Sequence, residues 1–290
     1  MARERVVVVG DSPLVERAEA LLRHVEARER DGGEFMRIEG GGSAEYYVKG
    51  GPLRRRSARR HGFARLLLRR PPPRLREYRN LVLLRARAFS TPEPILAAAR
   101  VRGASVLSQV LVTARVPDAA GYEALLSSPH APDRRLALAT LADTLARFHS
   151  VGFEHGDLYA RNLLYSRTHD GARVVPVILD MWRRSPVPSW RRKRTLLRRA
   201  SHDLGLLCTD LAPTTSPAEQ RAFLRRYLRR LDELGDELVP FLFAHEVEEA
   251  YRREVRRLTE HPERRRGRPL PPPGWTVPEL DGADGGRVNS

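Results

Sequence analysis

Few residues in this chain could do chemistry, because its charge is carried mostly by arginine. One stretch stands apart: "HGDLYARN" at 155–162 sets His155, Asp157 and Asn162 beside the apolar Leu158, Leu163 and Leu164. A carboxylate held at a turn by such neighbours can orient a hydroxyl and accept its proton. Asn162, five residues on, can turn its amide oxygen toward a metal ion. Phosphoryl transfer asks for little covalent work from the protein, so positioning and charge neutralisation carry it.

A metal needs further oxygen ligands, and Asp180 offers one at the end of the apolar strand "VVPVILD". Such a carboxylate can equally be a strand cap or a solvated end, but with Asp157 and Asn162 it reads as the principal Mg²⁺ ligand. The phosphates need a cation. Of 52 basic residues only Lys49 and Lys193 are lysine. Lys49 ends the strand-like "EYYVK", and a compact point charge suits a buried phosphate contact better than the larger arginine fork. Glu77, early in "RLREYRNLVLL", is the candidate to aim it; the macrodipole alone would equally explain a carboxylate there.

These residues need elements to hold them. "RVVVVGDSPLVERAEALLRHVEARER" reads as a short strand and a helix. "EFMRI" and "AEYYVK" form a hairpin around the glycines of "EGGGS". After an arginine-rich connector and "PPP", a helix is expected over 75–88, then two strands, "ILAAARV" and "SVLSQVLVTARV". A linker near 114–119 leads to a helical half. Its first helix, "DRRLALATLADTLARFHSVG", takes Asp133 as N-cap and Gly152 just past its end. A hairpin around "HDG" follows, with further helices over 203–211, 217–234 and 238–258. The expected division is an N-terminal extension (1–30), a strand-rich part (31–116), a helical part (117–260) and a disordered tail (261–290).

Composition narrows the classes. The chain has 290 residues, 41% hydrophobic and 30% charged, and no run of the roughly 20 apolar residues that span a bilayer. A cytoplasmic globular protein is expected. The single Cys208, in "LGLLCTDL", excludes an internal disulfide framework and a Cys-rich zinc site, and reads as a buried structural thiol. A net charge of +16 points to polyanionic partners, or to a compositional bias toward arginine.

Lys49, Glu77, "HGD" at 155–157, Asn162 and Asp180, in this order, resemble the protein-kinase-like fold over roughly residues 35 to 211. The resemblance implies an α+β fold with an antiparallel-sheet N-lobe and a helical C-lobe. "YYVKGG", "REYRNLVLLRARAFSTPEPILAA", "LVTARVPDA" and "ILDMWR" with "SHDLGLL" are similar to the bacterial lipopolysaccharide kinase family. That family phosphorylates heptose or Kdo sugars of the inner core. The resemblance implies Asp157 as catalytic base, Asn162 and Asp180 as Mg²⁺ ligands, Lys49 as the α/β-phosphate contact of ATP and Glu77 as its partner. It also implies that Asp203 hydrogen-bonds the catalytic-loop backbone and that His155 is an internal orienting group. "GGGS" at 40–43 lies too close to Lys49 to cover phosphates, which leaves Gly32 and Gly33 after Asp31 as the phosphate loop. Three departures argue against a phosphorylation-switched protein kinase: "DMW" lacks the usual glycine, Gly156 replaces an arginine, and no Ala-Pro-Glu follows.

The expectation is an ATP- and Mg²⁺-dependent kinase of a lipopolysaccharide core sugar. Its alternatives are a protein kinase, an aminoglycoside-type phosphotransferase, and a non-catalytic pseudokinase or nucleic-acid-binding module. No nucleic-acid motif is present, so nucleic acid is not an expected partner. Arginine clusters at 54–70 and 183–199 would draw an anionic glycolipid and peripheral contact with the cytoplasmic face of an anionic inner membrane; a solvated basic surface would look the same in sequence. Trp182 and Trp190 could stack on a sugar or insert at an interface, with core packing the plainer expectation.

Overall fold

A computed structural model describes residues 3–28, 31–39, 41–127, 131–167, 174–181 and 186–265. The chain divides into two compact units, one of residues 1–118 and 177–185, the other of residues 119–176 and 186–290.

The first unit is built on a five-stranded antiparallel sheet: β1 (Glu4–Gly10), β2 (Gly32–Arg37), β3 (Glu45–Pro52), β4 (Pro94–Arg102) and β5 (Ser105–Ala114), in the order β1-β4-β5-β3-β2. Helix α1 (Ala18–Glu26) covers one face, where Leu21, Leu22 and Val25 pack with Val48, Leu96, Ala98, Val110 and Val112. On the other face Leu75 and Leu81 of α3 (Pro73–Arg85) pack with Ala97, Ala99 and Leu111. Successive residues of a strand point to opposite faces, so burial on both sides explains why "ILAAA" (95–99) is apolar throughout rather than alternating. The first 26 residues thus supply an edge strand and a helix to this unit.

The second unit combines a small sheet, β6 (Ala120–Gly121), β7 (Leu163–Arg167) and β8 (Val174–Ile178), with helices α4 (Tyr122–Leu126), α5 (Ala131–Ser150), α6 (Arg192–Leu211), α7 (Pro217–Glu233) and α8 (Pro240–Glu260). The last residues of β8, with Asp180, belong to the first unit. Helix α7 starts on a capping box in which Ser216 and Glu219 satisfy each other's backbone amides. Buried aromatic side chains tie the helices together: Tyr227 of α7 stacks on Phe243 of α8 with ring centroids 5.4 Å apart. No described helix is long and apolar enough to cross a membrane.

Most expected elements are present, with shifts that have physical reasons. The arginine-rich connector is a helix, α2 (Arg55–Leu68); arginine, alanine and leucine are strong helix formers even where no clean apolar stripe marks them. Helix α5 begins at Ala131, so Asp133 lies in its first turn, where the dipole favours a carboxylate, rather than at the cap. Helix α6 starts at Arg192, eleven residues before the expected Asp203. Trp190 is exposed, with the Arg191 guanidinium 4.5 Å over its ring, and is not a core residue. Cys208 is buried, which pushes its thiol pKa up to about 12. The turn at "HDG", Trp182 and the tail beyond Arg265 lie outside the described residues.

Candidate active site

In the first unit, Lys49 stands in β3 with Gly33 and Leu111 as its ladder neighbours. Its Nζ donates to Glu77 Oε1 of α3 at 3.2 Å and also to Asp180 Oδ1. Glu77 is buried, so its charge needs partners, and it has a second: Arg74 Nη1 donates to Oε2 at 2.7 Å. The other arm of Arg74 reaches Asp31 Oδ2 at 2.6 Å, and its Nη1 lies 3.8 Å from Asp180 Oδ1. Burial opposes the charge on Arg74, but Glu77, then Asp31 and Asp180, outweigh it and raise the pKa. The start of α3 is fixed on β5, where the buried Gln109 accepts from the Arg74 backbone amide at 3.1 Å. Arg74 is the member of this cluster that sequence reasoning missed; among so many arginines, only its spacing of one helical turn before Glu77 could have marked it.

Asp180 sits at φ 60°, a left-handed conformation that aspartate tolerates better than most residues. Asn80 Nδ2 donates to the next carbonyl, that of Met181, at 2.5 Å and so fixes the chain just after the carboxylate. Three carboxylates (Asp31, Glu77, Asp180) and two cations (Lys49, Arg74) leave this cluster one net negative charge.

Gly32 and Gly33 do not form a loop between adjacent strands. They open β2, in register with Gly50 and Lys49, and β1 lies at the opposite edge of the sheet. A Cβ on Gly33 would lie 2.2 Å from the Tyr47 hydroxyl, so that ring packs directly against the Gly33 backbone.

In the second unit, α5 ends at Ser150, the chain turns at Gly152 (φ 96°), and Phe148 stacks on Phe153 with centroids 5.3 Å apart. The chain then turns through His155 and Gly156 on the buried Asp203. That carboxylate accepts from the His155 amide at 2.7 Å and from the Gly156 amide at 2.8 Å. Its third partner is His149 Nε2 at 3.1 Å, and His149 Nδ1 meets the Tyr227 hydroxyl at 2.8 Å. Burial would raise the Asp203 pKa, but the His149 hydrogen bond, the nearby imidazoles and the His155 amide together hold it below the ordinary value. Arg199 is buried here too and donates to the carbonyls of His149 and Phe153. It braces the loop from inside and is not part of a basic surface.

Downstream, Asp157 leads into a short 3₁₀ turn, Ala160–Asn162, and then into β7. Asn162 Nδ2 donates to the Asp157 carbonyl at 2.7 Å, which turns its amide oxygen the other way. Arg161 Nη2 lies 3.4 Å from Asp157 Oδ2 and its guanidinium sits 4.0 Å over the Tyr159 ring. The buried Tyr159 hydroxyl donates to Glu254 of α8, and Asp210 of α6 accepts from the Ala160 amide at 2.8 Å. Glu254 and Asp210 were not readable as loop supports, since they follow the loop by 92 and 48 residues from Asn162.

Asp180 in the first unit and Asn162 in the second each carry a hard oxygen donor of the kind that Mg²⁺ takes. Among the described residues no three His, Cys, Asp or Glu side chains gather into a metal cage.

The sequence profile of the lipopolysaccharide kinase (Kdo/WaaP) family matches residues 23–227. Compared by sequence with curated proteins, the chain has no match. Among solved structures, WaaP in complex with acyl carrier protein superposes with a TM-score of 0.56 at 20% identity, over 85% of this chain and 98% of that one. A glucosamine kinase in complex with glucosamine, ADP and inorganic phosphate gives a TM-score of 0.47 at 15% identity, over 89% of this chain and 76% of that one. A MAP kinase from Leishmania major gives 0.37 at 14% identity, over 96% of this chain and 74% of that one. The mixed α+β architecture is protein-kinase-like.

Proposed function

The chain belongs to the lipopolysaccharide kinase (Kdo/WaaP) family of phosphotransferases, and from that premise we propose that it moves the γ-phosphoryl group of ATP to a sugar hydroxyl, heptose or Kdo, of the lipopolysaccharide inner core. In this reading the hydroxyl oxygen bonds to the γ-phosphorus, the bond from phosphorus to the ADP oxygen breaks, and Asp157 takes the hydroxyl proton. Lys49 contacts the α- and β-phosphates, and Glu77, held by Arg74, keeps it aimed when it gives up Asp180. Gly33, in register with Lys49, and Gly32, in register with Gly50, line the nucleotide side of β2. Asp180 and Asn162 hold Mg²⁺, which neutralises phosphate charge. His155 and Asp203 keep Asp157 in place.

Residues 31–116 and 117–260 carry the two lobes of this kinase, and the segment before residue 31 adds β1 and α1 to the first. The acceptor is carried on a lipid, so the enzyme works at the cytoplasmic face of the inner membrane as a peripheral protein. The observation that carries the reading is the "HGD" turn bound by its His155 and Gly156 amides to Asp203, with Asn162 locked to the Asp157 carbonyl.

ATP consumption tests it with three arms: purified inner-core lipopolysaccharide, casein, and no acceptor, each with the natural chain and with Asp157→Ala. Turnover on lipopolysaccharide alone, lost in the variant, is expected. Turnover on casein only would overturn the sugar assignment, and failure to bind Mg·ATP would overturn every kinase reading.

A further inference from the structure

Helix α2 carries a surface that the phosphotransfer site does not use. Between Glu45 and Glu77 the chain has no carboxylate, while Arg54, Arg55, Arg56, Arg59 and Arg60 are all exposed. One face of the helix is pinned to the turn between β4 and β5. There Ala58 and Gly62 are buried, and a Cβ on Gly62 would lie 2.1 Å from the Ala104 carbonyl oxygen. Arg65 Nη2 donates to the Gly103 carbonyl at 2.8 Å on the same face.

This anchoring decides what points outward. Arg56, Arg60, Phe63 and Leu67 follow the spacing i, i+4, i+7, i+11, which is one stripe of an α-helix, opposite Ala58, Gly62 and Arg65. Phe63 is 61% and Leu67 64% exposed, and Leu66 and Leu68 beside them are 50% and 60% exposed. The helix stops at Arg69, and Pro71 to Pro73 prevent it from continuing. An exposed stripe with arginine at one end and bulky apolar groups at the other, without an acidic residue of its own, would suit nucleic acid poorly, because the apolar groups would stay in water. A bilayer surface of anionic lipid meets both chemistries at once: headgroup phosphates for the guanidinium groups, and the acyl boundary for the side chains.

We propose that α2 docks this protein on anionic lipid bilayers, lying in the plane of the surface with Phe63 and Leu67 inserted and Arg56 and Arg60 on the headgroup phosphates. The proposed function rests beside this only as a reason for the contact, a lipid-borne acceptor. The placement stands on α2 itself.

The test is sedimentation of the full chain, without nucleotide, with vesicles of phosphatidylethanolamine and phosphatidylglycerol, and with phosphatidylcholine alone. The natural chain should bind the first and not the second. Phe63→Ser with Leu67→Ser, and separately Arg56→Gln with Arg60→Gln, should each weaken binding about tenfold or more. All four positions are exposed, so the fold is expected to survive, and circular dichroism checks it. Phe63→Trp should gain fluorescence that brominated lipid quenches, which charge attraction alone would not produce. Equal binding by both double variants, absence of that quenching, or retention on polyglutamate without vesicle binding would each overturn the proposal. Both double variants should turn over delipidated core oligosaccharide at the natural rate. If no acceptor is phosphorylated while the vesicle pattern holds, the kinase assignment falls and the docking surface stands.

Discussion

Arg74 holds Glu77 at 2.7 Å from one turn earlier on the same helix, and both side chains are almost wholly buried, 7% and 3% exposed. Glu77 is thus held by a cation of its own helix, and Lys49 meets a carboxylate that already has a partner. Removing one member of a buried pair leaves the other charge uncompensated. Arg74→Ala is expected to cost roughly 3 kcal/mol of stability, read as a shift of the urea midpoint, and to raise the KM for ATP. Arg74→Lys keeps the charge but cannot span Glu77 and Asp31 together, so it should fall between. A natural midpoint in Arg74→Ala would mean that Glu77 needs no second cation.

Asp157→Asn separates proton acceptance from loop shape. Asn162 is anchored on the backbone carbonyl of residue 157, which the substitution leaves in place. Turnover should fall by between about 10² and 10⁴, the usual range for a lost general base, with the melting temperature nearly unchanged. A variant with natural turnover would remove Asp157 from the reaction.

Asp180 allows an unusual control because of its left-handed backbone. Glycine is more comfortable than aspartate at φ 60°, so Asp180→Gly removes the carboxylate without adding strain. Loss of turnover in this variant would then report the carboxylate itself. Chelation by EDTA should abolish turnover in the natural chain and added Mg²⁺ should restore it. Asp180→Asn should need about tenfold more Mg²⁺ or greater for half-maximal rate, since a neutral oxygen replaces a charged one. A natural Mg²⁺ dependence in both variants would place the metal elsewhere.

Legibility in the sequence followed uniqueness. Lys49 stood out because lysine is rare in this chain, and Asp157, Asn162 and Asp180 because they are acidic or neutral groups in apolar settings. The structure brings Lys49, Glu77 and Asp180 together, and it binds Asp203 to the loop that carries Asp157. Arg74 and Arg199 were hidden by the opposite circumstance: one arginine among fifty carries no signal until burial distinguishes it. Helix α2 escaped because an arginine-rich helix held by two small residues, Ala58 and Gly62, leaves no apolar stripe to count. The glycine pair Gly32–Gly33 read as a loop because spacing to Lys49 fits one. Whether a strand takes the edge beside them is a long-range matter, and β1 pairs with β4 instead.

Asp203 makes stability depend on acid in a way that one substitution isolates. Its ordinary value is 3.8 and its folded value is lower, so the ionised form is favoured by folding. A depressed carboxylate contributes stability that is fully present above the unfolded value and is lost as pH falls through the folded one. Other carboxylates titrate over the same range, but the difference between the natural chain and Asp203→Asn removes their common part. At about pH 7 the variant should be less stable by roughly 3 kcal/mol, because one amide cannot accept from both the His155 and Gly156 amides and turns a donor toward one of them. From about pH 4 downward the natural chain should lose this advantage, so that the two urea midpoints converge. A gap that stays constant down to about pH 2 would mean that the bonds to Asp203 do not require its charge.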